Sequence, residues 1–252
     1  MIREKFAKLR IIRLTSFSLP SLQTEMTKGF TIPGHGASAL GDYAFLAALS
    51  YETPSITQFH LDSWFAAGGV VDESEFVDQY RIESGTVNHP VYFKLFSFPD
   101  IPGYGIISIR GSQTTWDFLV DAQLWSAAFL AQIVRALIPL GWLWTPILDN
   151  LVTVVNFVEG ESLKNVAYYK VTTNFVNAVL ENNYTFAGKS FHTLRVTGAS
   201  LGGGLAIITG AQTRANAIAI SGLNAGLSRN TFEPPVTHEQ LNSRVFNVIP
   251  DR

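Results

Sequence analysis

The chain has 252 residues, 47% of them hydrophobic, with 18 basic and 20 acidic side chains and a formal net charge of −2. That is ample apolar material for a continuous core, and the balanced charge, with no long run of either sign, excludes disorder and a nucleic-acid partner. The sequence contains no cysteine, which excludes disulfides, thiolate metal sites and a cysteine nucleophile.

The first 13 residues carry Arg3, Lys5, Lys8, Arg10 and Arg13 against the single acid Glu4, with Ile2, Phe6 and Leu9 at helical spacing. No uninterrupted apolar stretch accompanies these charges, so a secretory signal is not expected. Residues 1–30 are read as a basic N-terminal helix or arm, with an Arg-rich targeting peptide as the other reading, and 31–252 as a single domain. The expected location is the cytoplasm or a membrane surface.

Pro33-Gly-His35-Gly36 marks a loop. Ser38 then caps a predicted helix over 38–51, with Leu40, Ala44, Leu46, Ala47 and Leu49 as its apolar surface, and Pro54 ends it. A second helical stretch is expected over 58–67, and the acidic run 72–80 reads as surface. Residues 91–97 alternate apolar with polar, and 104–109 form a denser apolar run, so the two are predicted as neighbouring strands across a turn at 99–103, the second of them central. Further strands are expected at 193–197, 215–220 and 244–249, with helices over 163–181 and 201–211. Strands alternating with helices predict an α/β fold, a mainly parallel central sheet with helices on both faces.

The most hydrophobic stretch, 125–157, is interrupted by Arg135, Pro139 and Pro146. A membrane span needs about 20 largely apolar residues. The segment is therefore read as a buried helical hairpin, or as a lid contacting a membrane or lipid-droplet surface, ahead of a span.

Gly198-Ala-Ser200-Leu-Gly202 falls between the predicted strand 193–197 and the predicted helix 201–211, and fits the G-x-S-x-G nucleophile elbow. A serine nucleophile needs a base for its proton, an acid to orient that base, and backbone donors for the oxyanion formed on the attacked carbonyl. Ser200 is the candidate nucleophile. The N–H of Leu201, opening a helix, is one candidate donor. The loop Arg110-Gly-Ser112 after the strand 104–109 suits the second. No metal-ligand spacing, phosphate loop or dinucleotide fingerprint occurs, so no metal and no cofactor are expected.

Ile109-Arg-Gly-Ser-Gln-Thr-Thr-Trp-Asp-Phe-Leu-Val-Asp121 resembles the R-G-[TS]-x-S-x-x-D-x-L-x-D segment of fungal-type class 3 lipases, including the diacylglycerol-lipase branch. Gly198-Ala-Ser-Leu-Gly-Gly203 resembles the nucleophile motif of the same family. The resemblance implies an α/β-hydrolase-like fold and activity on carboxylic esters of lipids such as acylglycerols. Ser112 and Leu201 would form the oxyanion hole, and the segment after Asp121 would lie near the lid. Asp117 and Asp121 would support the oxyanion loop.

The family acid follows the strand predicted at 244–249, which points to Asp251. Family order then demands a histidine after that acid. His35, His60, His89, His192 and His238 all precede it, so the expectation is a domain lacking the C-terminal part of the fold, with His238 as the nearest substitute base. Two functions stay open: a lipase-like serine hydrolase, or a catalytically inactive truncated lipase or lipid-binding pseudoenzyme. In either case the expected partner is a lipid or other apolar ester.

Overall fold

The computed structural model describes residues 9–12, 39–65, 67–111, 168–223, 225–226, 229–230 and 232–250. Its organising element is the strand Tyr104–Ile109, every residue of which is buried. A run of Ile106, Ile107 and Ile109 with almost no polar interruption suits a strand covered on both faces. In chain order the strands are β1 (Leu9–Ile12), β2 (Val71–Asp72), β3 (Phe93–Ser97), β4 (Tyr104–Ile109), β5 (Thr193–Ala199), β6 (Asn216–Ile220) and β7 (Val245–Pro250). They form one sheet in the order β1-β7-β6-β5-β4-β3-β2. The pairs β4–β5, β5–β6 and β6–β7 are parallel, and β3–β4, β2–β3 and β1–β7 are antiparallel.

The helices are α1 (Ala39–Leu49), α2 (Pro54–Phe65), α3 (Ser74–Glu83), α4 (Tyr168–Leu180), α5 (Leu201–Gln212) and α6 (His238–Arg244). Side-chain alternation along the strands sorts them to the two faces. Ile107, Ile109, Val196, Ala217 and Ala219 pack with Phe76 of α3, Phe175 of α4 and Leu205 of α5. Tyr104, Ile106, Ile218 and Val248 pack on the other side with Tyr43 and Leu46 of α1 and Leu61 and Phe65 of α2. The chain is thus of the α/β class, with a mixed, mostly parallel sheet and helices on both faces. Among the described residues no helix is long and apolar enough to cross a membrane; the segment 125–157, with Asp117 and Asp121, lies outside those residues.

Three elements differ from the sequence expectation. Pro54 does not merely end a helix but opens α2, since a proline at the first helical position loses no hydrogen bond and already holds the helical φ. Residues Leu9–Ile12 form a strand, not part of a helix: β-branched Ile11 and Ile12 pair with Val248 and Asn247 along the otherwise open edge of β7. The acidic run expected at the surface contains α3, whose Phe76 and Val77 are buried while Glu75 and Asp78 face solvent.

Phe76 is the hub of an aromatic cluster. Its ring meets Phe175, Tyr184 and Phe191 edge to face at centroid distances of 6.2, 5.3 and 5.3 Å, the arrangement that the ring quadrupoles favour. Phe76→Ala is expected to destabilise the protein by about 3–5 kcal/mol in urea unfolding; a loss below about 0.5 kcal/mol would match a surface residue instead.

Candidate active site

Because β4, β5, β6 and β7 run parallel, their C-terminal ends share one edge of the sheet, with Ile109 beside Gly198, Ala199 beside Ile220, and Ile220 beside Val248. In open α/β sheets this edge is where ligands bind. Ser200 occupies it, between β5 and α5, with φ 54° and ψ −121°. A serine avoids this conformation, and holding it costs on the order of 1–3 kcal/mol. The surroundings impose it: the Ser200 N–H donates to the Ile220 carbonyl at 3.1 Å, and the Ser200 carbonyl accepts from the Gly204 N–H at 3.0 Å.

The glycines on either side are required by close backbone approach. A Cβ on Gly202 would meet the Ile109 carbonyl oxygen and lie 2.8 Å from the Arg110 carbonyl carbon and 2.9 Å from the Gly111 nitrogen. A Cβ on Gly198 would strike the Gly202 carbonyl and the Ile109 carbonyl, the latter at 2.8 Å. Gly111 in turn lies against the Ala199 carbonyl and the Tyr51 hydroxyl. The end of β4 therefore packs backbone to backbone on the elbow. Small residues make this possible within a helix buried from Leu201 to Ala211.

Ser200 itself is exposed. Leu201 follows as the first residue of α5, where a backbone N–H has no acceptor inside the helix and the helix dipole favours negative charge. The structure thus brings Ser200 and Leu201 together with Gly111, the residue before Ser112. Ser112 and Asp251 lie outside the described residues, although Pro250, the neighbour of Asp251, ends β7 at this same edge.

The next strand tip is equally constrained. Ser221 follows β6 with φ 50°, and its N–H donates to the Val248 carbonyl at 2.7 Å. Asn247, 2% exposed, then grips Gly222 from both sides, its Nδ2 donating to the Gly222 carbonyl at 2.7 Å and its Oδ1 accepting from the Gly222 N–H at 2.9 Å. Gly222 packs against Gly203 in the first turn of α5. Sequence reasoning did not single out Asn247. The available signal was a polar residue in the apolar run Val-Phe-Asn-Val-Ile, since a buried amide requires partners.

The described histidines divide by position. His60 is exposed on α2. His192 precedes β5, at the opposite edge of the sheet, and a strand of 7 residues puts it about 23 Å from Ser200. His238, the substitute expected from the sequence, opens α6, whose Arg244 donates to the carbonyl of Thr213, beyond the far end of α5. Gln212, at that same end, donates to Pro234 at 2.6 Å. These contacts anchor the α6 region about 18 Å from Ser200, the length of the 12-residue α5, so the structure does not bring His238 to the elbow.

His89 lies at the elbow edge, because antiparallel β3 begins where β4 ends. Its Nδ1 accepts from the Val91 N–H at 3.3 Å, which assigns its proton to Nε2, and its ring packs edge to face on Tyr168. Burial, and then the charge of Arg81, lower its pKa and so favour the neutral ring. The Ser200 side chain makes no capping hydrogen bond to α5, and among the described residues no group of three His, Asp or Glu side chains is placed to hold a metal.

A narrow cavity between Arg110, Gly111, Tyr168, Leu201 and Leu205 borders the elbow, and a cleft of about 580 Å³ opens on the other side of Arg110. A separate cavity of about 440 Å³ around Gly103 and His192 belongs to the opposite sheet edge. Comparison with protein-family models, with curated proteins and with solved structures gave no match to this chain.

Two substitutions test the elbow geometry. Ser200→Gly removes the side chain that resists φ 54°, and after the entropy that glycine loses on folding the net gain is expected to be about 1 kcal/mol. Gly202→Ala is expected to cost more than about 3 kcal/mol, because fixed backbone blocks its Cβ. Urea midpoints moving in the opposite directions would contradict the elbow geometry.

Proposed function

We propose that this chain is a serine hydrolase of the α/β-hydrolase type, acting on carboxylic esters of lipids such as acylglycerols. The observation that carries the reading is the backbone of Ser200, a non-glycine residue held at φ 54° and ψ −121° between a parallel strand and a buried helix. Such strain persists only where the surroundings over-determine it, and it concentrates at sites of chemistry. The resemblance of the two motifs to class 3 lipases supplies the substrate class.

In this reading the Ser200 Oγ attacks the ester carbonyl and its proton passes to a base. The carbonyl oxygen takes up negative charge toward the Leu201 N–H and the donors of Ser112. Collapse of the tetrahedral intermediate breaks the ester C–O bond, the alcohol leaves with the proton, and an acyl group remains on Ser200. Water then attacks that acyl group, and the same proton path runs again to release a carboxylic acid. Asp251 would orient the base. Removal of one oxyanion donor in such a site costs on the order of 3 kcal/mol in the barrier. The apolar segment 125–157 would meet the acyl chain or the lipid surface.

A second reading, a lipid-binding protein without turnover, is favoured by His238, the substitute base, whose helix is anchored at the far end of α5 by Arg244 on the Thr213 carbonyl. Losing the base of a complete triad lowers turnover by about 10⁶-fold. The two readings separate on a fluorophosphonate probe. Phosphonylation located at Ser200 and absent in Ser200→Ala, with imidazole added as an external base, is expected for the hydrolase. No adduct on Ser200 at any imidazole concentration would leave only the binding reading.

A further inference from the structure

The cleft of about 580 Å³ beside the start of β3 is lined by three cations, Arg81, Lys94 and Arg110. Two of them are already engaged. Arg81 is buried and donates from Nη2 to the carbonyls of Thr86, Val87 and His89, with Asp78 as its nearby acid. Lys94 pairs with Asp72 at 3.3 Å and donates to Thr57.

Arg110 differs. Its backbone N–H donates to the Tyr92 carbonyl at 2.9 Å, and its guanidinium lies over the Tyr92 ring, 4.4 Å from the centroid. Among the described residues no carboxylate or carbonyl accepts from that guanidinium. The acids lining the cleft are exposed Glu52 and Asp78, and neither forms an ion pair with Arg110. Stacking occupies one face of the guanidinium and leaves its planar fork of N–H donors, the geometry that fits a carboxylate or phosphate bidentately.

The cleft also leads toward the elbow. Arg110 is covalently next to Gly111, which abuts the Ala199 carbonyl before Ser200. Tyr51 lines the cleft, and its hydroxyl reaches the same glycine.

We propose that this cleft seats the anionic group, phosphate or carboxylate, of an amphiphilic ester, and that Arg110 is the side chain that selects for it. The word ester rests on the serine-hydrolase reading; the binding of the anionic group does not. Among carboxylic esters of lipids, the substrate is thereby narrowed to those that carry a negative charge.

Binding is measured on the full chain carrying Ser200→Ala, so that turnover plays no part. Decyl phosphate and decanoate, below their micelle concentrations, are compared by calorimetry with neutral decyl glucoside. The anionic probes are expected to bind at least tenfold more tightly, with the preference lost in Arg110→Gln, reduced in Arg110→Lys, which keeps the charge but not the fork, and weakened by salt. Equal affinity for charged and neutral probes would overturn the proposal even if Arg110→Gln fails to fold. An undiminished preference in folded Arg110→Gln would overturn it too. Inorganic phosphate binding as tightly as decyl phosphate would make this a free-anion site and refute the amphiphile. Fluorophosphonate labelling of Ser200, followed separately, distinguishes failure of the hydrolase reading from failure of this one.

Discussion

The contact on which the rest depends is the backbone approach between α5 and the end of β4, at Gly198, Gly202 and Gly111. It brings a parallel strand, the helix that follows it and the neighbouring strand closer than any side chain would allow. It turns the chain sharply enough to present Ser200 to solvent, and it sets the loop after Ile109 beside the first N–H of α5. The energetics favour it: burying Leu205, Ile207 and Ile208 contributes roughly 1.5–3 kcal/mol each, which exceeds the backbone strain held at Ser200.

The central layer was legible because its residues leave little choice. The run Tyr104–Ile109 has no polar face to turn outward, so it reads as an interior strand, and the turn at 99–103 fixes its antiparallel neighbour. The elbow was legible for a different reason: glycines two positions either side of a serine, between a strand pattern and a small-residue helix, suit few other structures. Composition hid α3. Its acids dominate the sequence pattern over 72–80, yet two adjacent apolar residues, Phe76 and Val77, bury one stripe of a single short helix. The strand Leu9–Ile12 was hidden too, since its role exists only where β7 offers an open edge. Local sequence carries no trace of a partner more than 230 residues away.

The site was legible in part. Ser200 and Leu201 stand where the motif placed them, whereas His238 was judged by its position in the chain, and α6 anchors to the far end of α5. Chain order does not reveal which edge of a sheet a residue reaches. His89 illustrates the converse, being distant from Ser200 in sequence but carried to the elbow edge by the reversed direction of β3. Arg110 belongs to the segment 109–121 singled out from the sequence, yet its surroundings come from Tyr92 on a different strand's approach, and only the fold assembles them.

The two-way grip of Asn247 on Gly222 makes the strand tips stiffer than their own ladder would. An amide presents a donor and an acceptor together, whereas an aspartate of nearly the same size would turn oxygen toward the Gly222 carbonyl; position 247 is therefore chosen by polarity and not by volume. Through Ser221 and Val248 the same grip ties β6 to β7, and through Gly203 it reaches α5. With the Ser200 N–H bonded to the Ile220 carbonyl, the ends of β5, β6 and β7 are linked as one plate, so a push on any one of them is shared by its neighbours.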